Sequence, residues 1–260
     1  MHCRMDGRVA LVTGGSRGIG RAIAETFTRA GADVAIVARR PDVLAQTRKE
    51  MADATGQRIL AYAGDVGNAA DCQAVFAKVV ADFGRVDVLV NNAGQHIRGP
   101  FLENTDELWQ QDFDNKVMAA IRLARLAIPG MQQRKWGRIL NVLSYPAKAP
   151  QAGGSPTQVQ RATGMALTKV LASEFAPDNI LVNGLMTGNI VTDQIAGRYQ
   201  RANMDISFEQ HVANTGKTLP MRRMGTTQEY ANMACFLASD AGSYITGTAI
   251  NVDGGSCPVV

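Results

Sequence analysis

Cysteine is sparse and unpatterned in this 260-residue chain: Cys3, Cys72, Cys235 and Cys257 have neither metal-ligand spacing nor the look of a secreted disulfide scaffold. Aromatic residues make up only 6% and the basic residues are scattered, which excludes a nucleic-acid-binding stripe. No apolar run reaches the 18 or so residues of a membrane span. Met1-His2-Cys3-Arg4 is too short and polar to begin a signal peptide. The expectation is a soluble cytoplasmic protein with no metal, nucleic-acid or membrane partner. Low-complexity linkers are also missing, so residues 1–260 read as one domain, long enough at 46% hydrophobic content to bury a full core. A net charge of +4 suits an anionic small molecule as substrate.

What the chain does have is a repeated alternation of apolar runs and small-residue turns. Val9-Ala10-Leu11-Val12 breaks into Thr13-Gly14-Gly15-Ser16-Arg17-Gly18-Ile19-Gly20, after which Ile19, Ile23 and Phe27 follow helical spacing. This predicts a buried strand, a tight turn and a helix. Gly14 permits the turn, Gly18 lets backbone approach a pyrophosphate, and Gly20 lets the helix pack closely on the sheet. Ser16, Arg17 and Ile19 complete a loop whose helix start offers free N–H groups and a positive dipole end. A second strand, Asp33 to Ala38, ends in Arg39-Arg40 rather than the acid that holds a ribose in NAD-selecting folds. Arg39, with Arg17 reaching the same region, matches a 2′-phosphate, so the expected cofactor is NADP(H).

The pattern continues with a helix over Pro41 to Gly56, a strand over Ile59 to Ala63, and the turn Gly64-Asp65-Val66, whose acid either meets an adenine or closes the turn. Ala69 to Phe83 is helical. Val86 to Val90 is a strand running into Asn91-Asn92-Ala93-Gly94, a second small-residue turn where open α/β sheets place ligands. Repeated strand–helix units predict an α/β fold with a parallel sheet. His96 is a substrate-facing candidate or a plain surface residue. One long helical pattern runs from Thr105 through Ile128, and Asn115 inside it implies a kink, a bridging water or an exposed site. Gly137 to Leu143 is a strand delivering Ser144. Tyr145 follows, held extended by Pro146, as a proton donor, pocket wall or packing residue. Ile180 to Asn183 is the sixth strand. Residues 189–217 read as a variable lid in which Tyr199 is a substrate contact and Arg198, Arg201 and His211 suit a carboxylate or phosphate. Thr226 to Leu237 and Thr248 to Val252 are the last helix and strand.

From about Arg8 to Ser256 the chain resembles the short-chain dehydrogenase/reductase family. The resemblance rests on Thr13 to Gly20, Asp65, Asn91-Asn92-Ala93-Gly94, Asn115, Ser144, Asn183, Gly188, Thr192 and Asn251-Val252-Asp253-Gly254-Gly255. It implies a single Rossmann-type three-layer α/β domain with a seven-stranded parallel sheet, a homodimer or homotetramer, and hydride exchange between NAD(P) and an alcohol or carbonyl. It also implies that Thr192 bonds the carboxamide beside Gly188. Asn115 and Ser144 match the family's active-site asparagine and serine. The positions of its tyrosine and lysine are held here by Thr157 and Arg161. Arginine can hold ribose hydroxyls but stays protonated and cannot shuttle a proton at neutral pH. Threonine is a poor acid and doubles as a helix cap. The sequence therefore predicts an atypical NADP(H)-dependent oxidoreductase for a carbonyl or imine-like group, with a redox-silent NADP(H) sensor or partner subunit as the alternative.

Overall fold

The computed structural model describes residues 3–203 and 205–260. Strand β1 (Val9–Thr13) leads through the glycine turn into α1 (Gly18–Arg29), β2 (Asp33–Ala38), α2 (Pro41–Thr55) and β3 (Ile59–Ala63). Helix α3 (Ala69–Phe83) and β4 (Val88–Asn91) follow, then a two-residue strand β5 (Arg98–Gly99) and α4 (Asp106–Phe113). A π turn (Asp114–Met118) joins α4 to α5 (Ala119–Arg134). The second half holds β6 (Gly137–Ser144), the short β7 (Ser155–Pro156), α6 (Thr157–Phe175), β8 (Ile180–Thr187), α7 (Asp193–Ala202), α8 (Phe208–Lys217), α9 (Thr227–Ala238) and β9 (Ala249–Val252).

Seven strands form one parallel sheet in the order β3-β2-β1-β4-β6-β8-β9. Period-two alternation sorts its side chains into two cores. Ala10, Val12, Val34 and Ile36 meet Ile23, Phe27, Leu44 and Tyr230 from α1, α2 and α9. Leu11, Ala35 and Val37 meet Val75, Val79, Leu123 and Ala172 from α3, α5 and α6. Both faces are covered, which is why the strands are continuous apolar runs. The strand order reverses between β1 and β4, and the crevice at their carboxyl ends is where such sheets bind ligands.

Five details differ from the expected elements. The fourth strand starts at Val88, the sixth extends to Thr187, and β5 pairs with β7 in a small antiparallel ribbon that periodicity cannot show in two residues. The long helix is interrupted: the π turn inserts a wider loop of backbone at Asn115, giving a kink for the interior asparagine. The lid over 189–217 contains α7 and α8.

Candidate active site

Two turns build the floor of the crevice. Gly14 sits at φ +63°, and a Cβ on Gly20 would lie 2.3 Å from the Gly14 carbonyl oxygen, so only glycine lets α1 approach β1 this closely. Thr13 clamps the second turn to the first. Its hydroxyl accepts from the N–H of Asn92 (2.9 Å) and Ala93 (3.0 Å) and donates to Val90 O, while Asn92 Nδ2 donates to Thr13 O. No side chain caps the start of α1, leaving its first N–H groups turned to the crevice beside Ser16 and Ile19. Arg17 at the N-terminus of α1 and Arg39 just after β2 are exposed, and neither forms an ion pair among the described residues. Asp65 accepts from Gly67 N–H at 3.0 Å and closes its own turn, with Val66 buried behind it. Gly188 packs so tightly on Asp253 that a Cβ would come within 2.3 Å of its Cα, and Thr192 stands 3.7 Å from the corresponding point on Gly18. The residues fit a bound dinucleotide: bare helix N–H groups, glycines where backbone must approach, and two free guanidiniums at the ribose end.

Beyond Gly94 the crevice becomes polar and charged. Ser144 is delivered at the end of β6, and its Oγ is buried without a hydrogen-bond partner among the described residues. A buried hydroxyl is costly to leave unsatisfied, so a ligand oxygen is its natural partner. Arg161, on α6, donates to the carbonyl of Val142 and leaves its Nε unsatisfied; Nη2 lies 3.6 Å from the Cβ point of Gly94. Burial lowers the pKa of Arg161, partly offset by Tyr230 and Asp112, but a guanidinium remains charged. Thr157 is the first residue of α6 and is buried. Its hydroxyl does not cap the helix as expected: it accepts from Ile97 N–H at 2.9 Å and donates to Asp112 Oδ1 at 3.3 Å, tethering the loop after β4.

The other candidates divide by place. Asn115 sets its Oδ1 2.7 Å from the Cβ point of Gly67, on the turn after β3. Tyr145 packs in a small cluster with Leu143, Ala147 and Met186. Tyr199 lies between the lid helices, donating to the carbonyl of Ile206 and meeting the rings of Phe208 and His211 at 5.4 and 5.6 Å. His96 joins the crevice. Crowding, then repulsion by Arg198, Arg98, Arg161 and Lys116, pushes its pKa down to about 4. His96 is itself exposed to solvent. The lid reaches the same place, with Gln194 donating to Gly94 O at 3.3 Å.

Three participants escaped the sequence reading. Lys116 and Asp112 form an ion pair with side chains 4% and 0% exposed, and Lys116 carbons lie 3.5 Å from the Cβ point of Gly94. Their four-residue separation was visible, but such pairs are common on solvated helix faces. Only the π turn and the neighbouring α6 show that this one is buried. Arg98 was equally inconspicuous before the ribbon of β5 and β7 fixed its place.

A family model described as enoyl-(acyl carrier protein) reductase matches residues 14–256. The oxidoreductase UcpA of Salmonella typhimurium is 34% identical over 97% of this chain and 95% of its own. The 3-oxoacyl-[acyl-carrier-protein] reductase FabG of Escherichia coli is 34% identical over 96% and 97%. Among solved structures, the L-sorbose reductase of Gluconobacter frateurii, crystallised with NADPH and L-sorbose, superposes with a TM-score of 0.96 at 35% identity, covering all of both chains.

Proposed function

The chain belongs to the short-chain dehydrogenase/reductase superfamily, and from that premise we propose that it reduces the carbonyl of a small anionic compound, or oxidises the matching alcohol. It is an NADP(H)-dependent oxidoreductase, in keeping with its NADPH-bound structural relative. When bound, the cofactor supplies or takes up a hydride at the reacting carbon. The protein holds it through the N–H groups opening α1, the Thr13-clamped Asn92-Ala93-Gly94 turn, Thr192 and the guanidiniums of Arg17 and Arg39.

The anionic substrate is our own reading, and one observation carries it: the crowd of Arg98, Lys116, Arg161 and Arg198 around His96, with Asp112 paired to one of them. Charges so placed favour an incoming carboxylate or phosphate. Ser144 is read as the donor to the carbonyl oxygen. The test is a panel of oxo acids (pyruvate, 2-oxoglutarate, acetoacetate) against neutral carbonyls including L-sorbose, followed by NADPH absorbance in the wild type and Arg198→Ala. We expect oxo acids to lead by at least about tenfold in kcat/KM, equal to about 1.4 kcal/mol, with the lead lost in the variant. A preference for neutral carbonyls that survives Arg198→Ala overturns the anionic reading.

Assembly as a homodimer or homotetramer is part of the same proposal. Val159, Thr163, Ala166 and Val170 form one exposed stripe of small side chains along α6, the kind of face on which a second helix packs closely.

A further inference from the structure

We propose that Lys116 is the catalytic acid of this enzyme, its ammonium giving the proton to the substrate oxygen and its amine taking that proton back in the reverse reaction. The proposal rests on the carbonyl-reducing reading above. The site needs such a group because neither residue at the positions of the family's tyrosine and lysine is an acid at neutral pH, and Tyr145 packs with Leu143, Ala147 and Met186. Thr157 is engaged with Ile97 and Asp112, and Arg161 cannot release a proton.

Lys116 stands where that group is needed. Its stem lies against Gly94, on the turn that ends β4, and Arg161 lies against the same glycine from α6. Its ammonium shares Asp112 Oδ1 with the Thr157 hydroxyl, so it sits within one carboxylate of the start of α6. Lys116, Asn115 and Arg161 all line one small cavity of about 20 Å³, which is room for a single water molecule. The charged groups acting on the amine are Asp112 on α4 and Arg161 on α6; the neutral His96 ring on the loop after β4 is nearby, with Arg98 and Arg198 beyond. Burial and the Arg161 guanidinium push the lysine pKa down to about 8, against the opposing pull of Asp112. An acid with a pKa near the working pH is the kind best suited to reversible proton transfer.

The step balances simply. The carbonyl carbon gains the hydride with its electron pair, and the C=O π pair moves to oxygen. That oxygen takes the proton from the Lys116 ammonium, leaving the N–H pair on nitrogen. The products are the alcohol, the oxidised cofactor and a neutral amine, which regains a proton from solvent.

Two measurements test this. In the holoenzyme with NADPH, lysines carrying ¹³C at Cε are titrated by NMR, and the resonance missing from Lys116→Arg is assigned to Lys116. It is expected to inflect near pH 8, and to move lower in Asp112→Asn, which removes the group that holds its proton. An inflection at the ordinary lysine value of about 10.4 overturns the proposal. In turnover with the oxo-acid panel, wild-type kcat for reduction should fall as pH rises through about 8, because the ammonium is the working form. Lys116→Met and Lys116→Arg should both lose about 100-fold or more in kcat. Rescue by arginine means the charge alone matters, and unchanged turnover in Lys116→Met means the group is idle; either overturns the proposal while leaving the carbonyl-reducing reading intact. A wild type that binds NADPH and reduces no member of the full panel overturns both.

Discussion

Arg17 at the start of α1 and Arg39 just past the carboxyl end of β2 carry two guanidiniums, exposed and free of ion pairs among the described residues. Removing one should cost mainly the contact to a 2′-phosphate. Arg39→Ala is expected to weaken NADPH binding about tenfold, the low end of a charge-assisted hydrogen bond because the site is solvated, and to leave NADH nearly unaffected. Fluorescence titration of both cofactors at one ionic strength reads this. Ser144 acts at the other end of the crevice. Ser144→Ala should lower kcat about 100-fold or more with NADPH affinity unchanged, as loss of a donor to the reacting oxygen does. His96 offers a pH prediction. Its pKa is depressed to about 4, so its ring resonance should titrate there. The unfolded chain binds that proton at about pH 6.5, so the His96 contribution to stability is present above 6.5 and is lost as pH falls toward 4. His96→Gln should flatten that part of the denaturation profile.

Among the elements, α1 depends on one missing Cβ and α9 on one cap. Gly20→Ala forces a methyl into the Gly14 carbonyl and the Asn92 amide, so it should destabilise by about 1–3 kcal/mol and loosen the cofactor turn together with the fold. Thr226 accepts from Glu229 N–H while the Glu229 carboxylate returns to Thr226 N–H, a reciprocal cap that Arg223 reinforces. Thr226→Ala should cost about 1 kcal/mol in urea unfolding with little effect on cofactor binding. These elements were legible because their signals are local: glycines at fixed offsets, a threonine three residues ahead of a glutamate, apolar runs of strand length. The π turn was half legible. Asn115 announced a disturbance in the helix, but not that the next residue, Lys116, would be the one carried against Gly94. A lysine four residues from an aspartate looks the same in sequence whether it faces water or a neighbouring helix.

At the scale of the molecule, the sheet order could be anticipated only through the family resemblance, since strand pairing joins residues far apart and leaves no mark in local spacing. The cation crowd was invisible for the same reason: Arg98, Lys116, Arg161 and Arg198 lie on four separate segments. A homodimer or homotetramer should sediment well above the 27.8 kDa of one chain at micromolar concentration, and Val170→Glu on the α6 stripe should shift it toward monomer. Thr157 ties the loop after β4 to the start of α6 and to Asp112 on α4. Its hydroxyl already serves the Ile97 amide and Asp112, so replacing it with tyrosine breaks two contacts before any new donor is in place. With Arg161 and Lys116 unchanged, Thr157→Tyr is expected to loosen the loop after β4 and lower the urea-unfolding midpoint rather than to install a working acid.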